Sequence, residues 1–127
     1  MRDRIARHRA DRVAGWRTVE CPVDLPDAIG REALAGSVLL VDCLTLWASN
    51  LLLADRNADA ATDRLLAALA GTPCPVVLVS NEVGMGIVPD NALARRFRDI
   101  SGRMNQRIAA AADAVLLMMA GLELRLK

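Results

Sequence analysis

The chain has 127 residues, 54% of them hydrophobic, which suits one globular domain with a buried core and excludes a disordered chain. Charge nearly cancels at +1, yet Arg2, Arg4, Arg7, Arg9, Arg12 and Arg17 crowd one end and make it attractive to anions. Only Trp16, Trp47 and Phe97 are aromatic, so a base-stacking surface is not expected and nucleic acid is disfavoured as a partner.

Residues 2 to 14 have helix-favouring composition and end at Gly15, a C-cap residue, after which "WRTVEC" alternates as a short strand would. Pro22 and Pro26 then break the pattern. "SVLLVDC", residues 37 to 43, is a continuous apolar run ending in an acid, as expected for a strand buried on both faces of a parallel sheet. A helical stretch follows from about Leu44 to Ala70, interrupted around "DRNADAATD", whose polar, alanine-rich composition predicts a surface excursion.

"PVVLVSNEVG", residues 75 to 84, and "DAVLLMMAG", residues 113 to 121, repeat the buried-strand design. Between them Leu93, Phe97, Ile100, Met104 and Ile108 recur at spacings of four and three, marking the apolar face of a helix. Arg95, Arg96, Arg103 and Arg107 fall on its other faces, and Pro89 and Asp90 sit where its start is expected. Cys21, Cys43 and Cys74 are odd in number and widely spaced, which fits reduced, packed thiols better than disulfides or a metal site. Residues 1 to 20 are charged throughout, unlike a signal peptide, and no apolar run reaches membrane-spanning length, so a cytoplasmic protein without a membrane span is expected.

Buried strands alternating with amphipathic helices imply βαβ units, hence an α/β fold in a single domain over 1–127. In such sheets ligands bind beyond the carboxyl ends of the strands, which points to Asp42 and to Ser80, Asn81, Glu82 and Gly84. Asp42, closing "VLLVD", has the form of a Walker B carboxylate that holds a nucleotide's magnesium; the structural alternative is an acid capping the next helix. The phosphate loop that accompanies such an acid needs Gly-Lys-Ser or Gly-Lys-Thr, and the only lysine here is Lys127.

"RIARHRADRVAGWRTVE", "VLLVDCLTLWASNLLL", "VSNEVGMGIVPDNALARRFRDISGRMNQ" and the closing "AGLELRLK" together resemble the bifunctional adenosylcobinamide kinase / adenosylcobinamide-phosphate guanylyltransferase family of cobalamin biosynthesis. The resemblance implies a P-loop NTPase-like parallel sheet flanked by helices, with the family's N-terminal strand and P-loop missing ahead of Met1. Loss of that strand would expose apolar edges, so poor solubility or reliance on a partner is expected. The implied reactions are phosphorylation of the aminopropanol hydroxyl of adenosylcobinamide, then transfer of GMP from GTP to that phosphate through a covalent guanylyl-histidine. GTP and ATP are the implied substrates, Mg2+ the implied cofactor and a homo-oligomer the implied assembly.

By its place in "RIARHRADR" the implied nucleophile is His8, the single histidine of the chain. Arginines beside it disfavour the imidazolium and keep a nitrogen free to attack, and a phosphoramidate meets the need for a group that later leaves. Without the resemblance, a lone histidine on a basic helix is simply solvated. Arg9, Ala10, Asp11 and Arg12 match the family's nucleotide-contacting segment, Glu20 matches an acid that binds the guanine nucleotide, and Asp42 contacts nucleotide or its magnesium. Val13 stands where the family commonly has proline. Two further readings stay open: a non-catalytic remnant that associates with a full-length homologue, and a basic anion or nucleic-acid binder.

Overall fold

The computed structural model describes residues 15–127. Its elements in order are α1 (Leu25–Glu32), β1 (Leu39–Asp42), α2 (Leu44–Leu53), α3 (Ala58–Ala70), β2 (Val76–Val79), α4 (Ala92–Ala111), β3 (Leu116–Met119) and β4 (Leu122–Arg125). β1 and β2 pair in parallel, with Leu39 opposite Val76 and Asp42 opposite Val79. The architecture is α/β, a small parallel sheet flanked by helices.

The core lies where four helices meet one face of that sheet. α2 buries Leu44, Trp47, Ala48, Leu51 and Leu52, a stripe at helical spacing. α3 contributes Leu65, and α4 contributes Ile100, Met104 and Ile108; Leu39, Val41 and Leu78 close the cluster from the strands. Trp47 satisfies its indole N–H on the Val23 carbonyl at 2.7 Å, and the Asn50 amide donates to the Pro22 carbonyl at 2.9 Å. These two bonds fix the chain leading into α1 against α2. Between helices, Arg64 pairs with Asp27 at 2.8 Å, Arg103 with Asp59 at 3.6 Å, and Arg107 with Asp63.

Several sequence expectations need correction. "WRTVEC" forms no strand; residues 16 to 20 are exposed and irregular. α1 is an additional helix at the point where the prolines suggest a break, because Pro26 occupies its first turn, where a missing N–H costs nothing. The break in the long helical stretch spans only residues 54 to 57, and most of "DRNADAATD" belongs to α3, whose N-cap Asn57 accepts from the Ala60 N–H at 3.0 Å. Asn91, rather than Pro89 or Asp90, caps α4 by accepting from the N–H groups of Leu93 and Ala94 at 2.8 and 3.1 Å. Leu93 itself is exposed, and Phe97 is half-buried against the core.

The largest difference concerns the third apolar run. β3 does not join the parallel sheet: it pairs antiparallel with β4 in a separate hairpin, Leu116 opposite Arg125 and Met119 opposite Leu122. Ala120 and Gly121 turn the corner, both at positive φ, a conformation the twist of a two-residue hairpin demands. Nor are β1 and β2 covered on both faces among the described residues, since Leu40, Val77 and Val79 remain exposed. No helix among the described residues is long and apolar enough to cross a membrane. The expected helix over 2 to 14 lies outside the described residues; Gly15, its expected terminus, has φ +114°, a conformation natural to glycine.

Candidate functional site

Parallel pairing of β1 and β2 brings their carboxyl ends together, so the residues that follow them share one edge of the sheet. Asp42 is exposed at the last position of β1. It does not cap the next helix: Cys43 is the N-cap of α2, and no side chain bonds the amides there. Asp42 therefore presents its carboxylate at the strand end without a structural task in α2.

The chain leaving β2 is tied to this edge by a polar network. The Asn81 N–H donates to Thr45 Oγ1 at 2.7 Å, and Thr45 lies in the first turn of α2, three residues beyond Asp42. Ser80 Oγ donates to Asn105 Oδ1 at 2.6 Å and stands 3.4 Å from Thr45 Oγ1. The Asn105 amide then donates to the Asn81 carbonyl and to Glu82 Oε1, both at 3.1 Å. Arg98, two turns earlier on α4, donates to the Gly84 carbonyl at 2.8 Å. Thus α2 and α4 together clamp residues 80 to 84, using both halves of the Asn105 amide.

Beyond the clamp the chain becomes apolar and open: Met85 and Val88 are exposed, and Ile87 is 97% exposed. Beside it, between the 80–84 segment and α4, lies a cleft of about 480 Å³ whose walls include Glu82, Arg98, Asp99, Asn105, Gln106 and Val115. A smaller hollow of about 140 Å³ sits between α1 and α3, away from the strand ends and flanked by Asp24, Arg56 and Arg64.

The sequence-derived site residues divide accordingly. Ser80 and Asn81 follow β2 at the sheet edge that Asp42 closes, Glu82 and Gly84 are bonded to Asn105 and Arg98 of α4, and Glu20 is exposed in the irregular stretch before Cys21. His8, Arg9, Ala10, Asp11 and Arg12 lie outside the described residues. Thr45 and Asn105 carry no motif of their own in the sequence; position is the only signal, Thr45 three residues after a strand-end acid and Asn105 adjacent to the buried Met104 on α4. The three cysteines are free and half-buried, and burial, with Asp24 adding to it, pushes the Cys21 thiol above its ordinary range. Among the described residues no cluster of three His, Cys, Asp or Glu side chains forms a metal cage.

The family model for cobinamide kinase / cobinamide phosphate guanyltransferase matches residues 1–126. The chain belongs to this family. Among curated relatives, it is 48% identical over 126 residues to the bifunctional adenosylcobalamin biosynthesis protein CobP of Pseudomonas aeruginosa, covering 98% of this chain and 73% of that protein. It is 43% identical over 142 residues to the bifunctional adenosylcobalamin biosynthesis protein CobU of Salmonella typhimurium, covering the whole of this chain and 78% of that protein. The Escherichia coli protein of the same name is 42% identical over the same span.

Proposed function

We propose that this member of the family carries out both reactions that the family name describes: it phosphorylates adenosylcobinamide and then transfers GMP from GTP to the phosphate. The observation that carries this reading is the family match over residues 1–126, which includes the only histidine of the chain in its arginine-rich setting. In the second reaction a nitrogen of His8 attacks the α-phosphorus of GTP, a P–N bond forms, and the bond to the bridging oxygen breaks to release pyrophosphate. An oxygen of adenosylcobinamide phosphate then attacks the same phosphorus, the P–N bond breaks, and adenosylcobinamide-GDP leaves.

Arg9 and Arg12 neutralise phosphate charge beside His8, Ala10 and Asp11 complete the nucleotide-contacting segment, and Glu20 accepts from the N–H groups of the guanine. Asp42 suits a magnesium ion. That ion takes one or two carboxylates and completes its shell with water and substrate phosphates, and an exposed strand-end carboxylate is such a ligand. When bound, the ion offsets phosphate charge during transfer.

Assembly as a homo-oligomer in the cytoplasm belongs to the same proposal. The experiment is incubation with magnesium and GTP labelled at the α-phosphate. The chain is expected to take up label, and His8→Ala to take up none; label retained by His8→Ala overturns the assignment of the nucleophile.

A further inference from the structure

The cleft between the 80–84 segment and α4 differs in chemistry from a phosphate site. Its walls carry two carboxylates, Glu82 and Asp99, against two guanidiniums, Arg98 and Arg103, so its formal charge is balanced. Both cations are already engaged, Arg98 on the Gly84 carbonyl at 2.8 Å and Arg103 on Asp59 at 3.6 Å. A nucleotide's triphosphate would meet the carboxylates of Glu82 and Asp99 there together with the two guanidiniums, so the cleft as a whole does not favour a polyanion. What the cleft offers instead is a carboxylate acceptor on Glu82, the amide of Gln106 with both donor and acceptor, and an apolar wall at Val83 and Val115. That combination recognises a ligand without net negative charge that is rich in carboxamide groups and has an apolar body.

Glu82 is held for this purpose by a side chain that can do nothing else as well. Asn105 spends one N–H on Glu82 Oε1 and the other on the Asn81 carbonyl, and accepts from Ser80, so its three contacts lock the carboxylate's backbone and one of its oxygens. Lone pairs remain on the carboxylate for a ligand. We propose that this cleft is the acceptor-substrate site, where Glu82 accepts a hydrogen bond from a carboxamide of the corrinoid's periphery, away from the hydroxyl that is phosphorylated, and that Asn105 is its positioning residue. The nucleotide then lies on the Asp42 side of the same sheet edge. The assignment rests on the kinase and guanylyltransferase reading for the identity of the ligand.

Calorimetric titration of the whole chain tests it, with adenosylcobinamide and with magnesium GTP as separate probes. Glu82→Gln removes the charged acceptor, and Asn105→Asp sets a second carboxylate against Glu82 and the Asn81 carbonyl. Each is expected to weaken adenosylcobinamide binding about tenfold, the scale of a lost hydrogen bond to a charged group, with GTP affinity unchanged. A merely structural contact would lower both affinities together with the unfolding midpoint. Should Asn105→Asp fail to fold, Gln106→Leu probes the same wall through an exposed side chain, and a similar selective loss is expected. No adenosylcobinamide binding by the unsubstituted chain, full affinity in the folded variants, or equal losses for both probes overturns the proposal. Failure of GTP labelling at His8 with selective adenosylcobinamide binding intact would instead sink the guanylyl-transfer reading and leave the cleft standing.

Discussion

Leu51 and Leu53 lie two residues apart on α2 and differ almost completely in environment, 1% and 73% exposed respectively. Their substitution by alanine removes the same atoms from the same helix and improves helix propensity slightly in both cases. For Leu51 the loss combines the transfer term with the void left behind, which for buried leucines spans roughly 2–5 kcal/mol. The 140 Å³ hollow that Leu51 lines lets that void relax or take up water on one side, so about 3 kcal/mol is expected. With an unfolding entropy of about 2.1 cal/mol/K per residue, a chain of 127 residues loses about 11 °C of melting temperature. Leu53→Ala should stay within about 0.5 kcal/mol of the parent, as exposed substitutions do. Urea unfolding followed by circular dichroism measures both, with the denaturant slope checked for constancy. Equal effects at the two positions would refute the account of α2 as the helix that seats Asp42 and Thr45 on the core. GTP labelling per folded molecule should be the same in both variants, because neither side chain reaches the strand ends.

Thr45→Val keeps the shape of the side chain and removes the acceptor for the Asn81 N–H. Water can replace it at this exposed site, so stability should fall by only about 0.5–1 kcal/mol, whereas hydrogen exchange at Asn81 should quicken about tenfold; unchanged protection there would contradict the clamp. For Cys21, the raised thiol pKa predicts slow alkylation near neutrality relative to the unfolded chain. The linked stability is fully present below the ordinary thiol pKa, near 9, and falls as pH rises through and above it, because the unfolded chain ionises first. A Cys21→Ser variant whose stability falls just as steeply above that pH would argue against the thiol as its origin.

Legibility in the sequence followed the strength of local pattern. β1 and β2 were readable because a four-residue apolar run bounded by an acid or a polar loop has few other uses, and the buried stripe of α4 because its spacing matches the helix period. The same reasoning misplaced β3: "LLMM" carries no information about its partner, and pairing with "LELR" was decided by the Ala120–Gly121 corner and not by hydrophobicity. α1 was missed because proline marks both loops and first helical turns, and only the tertiary packing of Leu25, Ala28 and Ile29 distinguishes them here. In the site, Asp42 and the 80–84 segment follow from the rule of strand ends. Thr45 and Asn105 do not, because their partners are 35 and 25 residues away and polar side chains leave no periodic trace.

The central claim, guanylyl transfer through His8, is tested most directly by a single-turnover chase. The chain is charged with α-labelled GTP and magnesium, freed of nucleotide, and mixed with adenosylcobinamide phosphate. The account predicts that label leaves the protein and appears in adenosylcobinamide-GDP at a rate no slower than turnover. Label that stays on the protein when the acceptor is added, with product forming only once fresh unlabelled GTP is supplied, would contradict it, since GMP would then reach the acceptor without passing through the histidine.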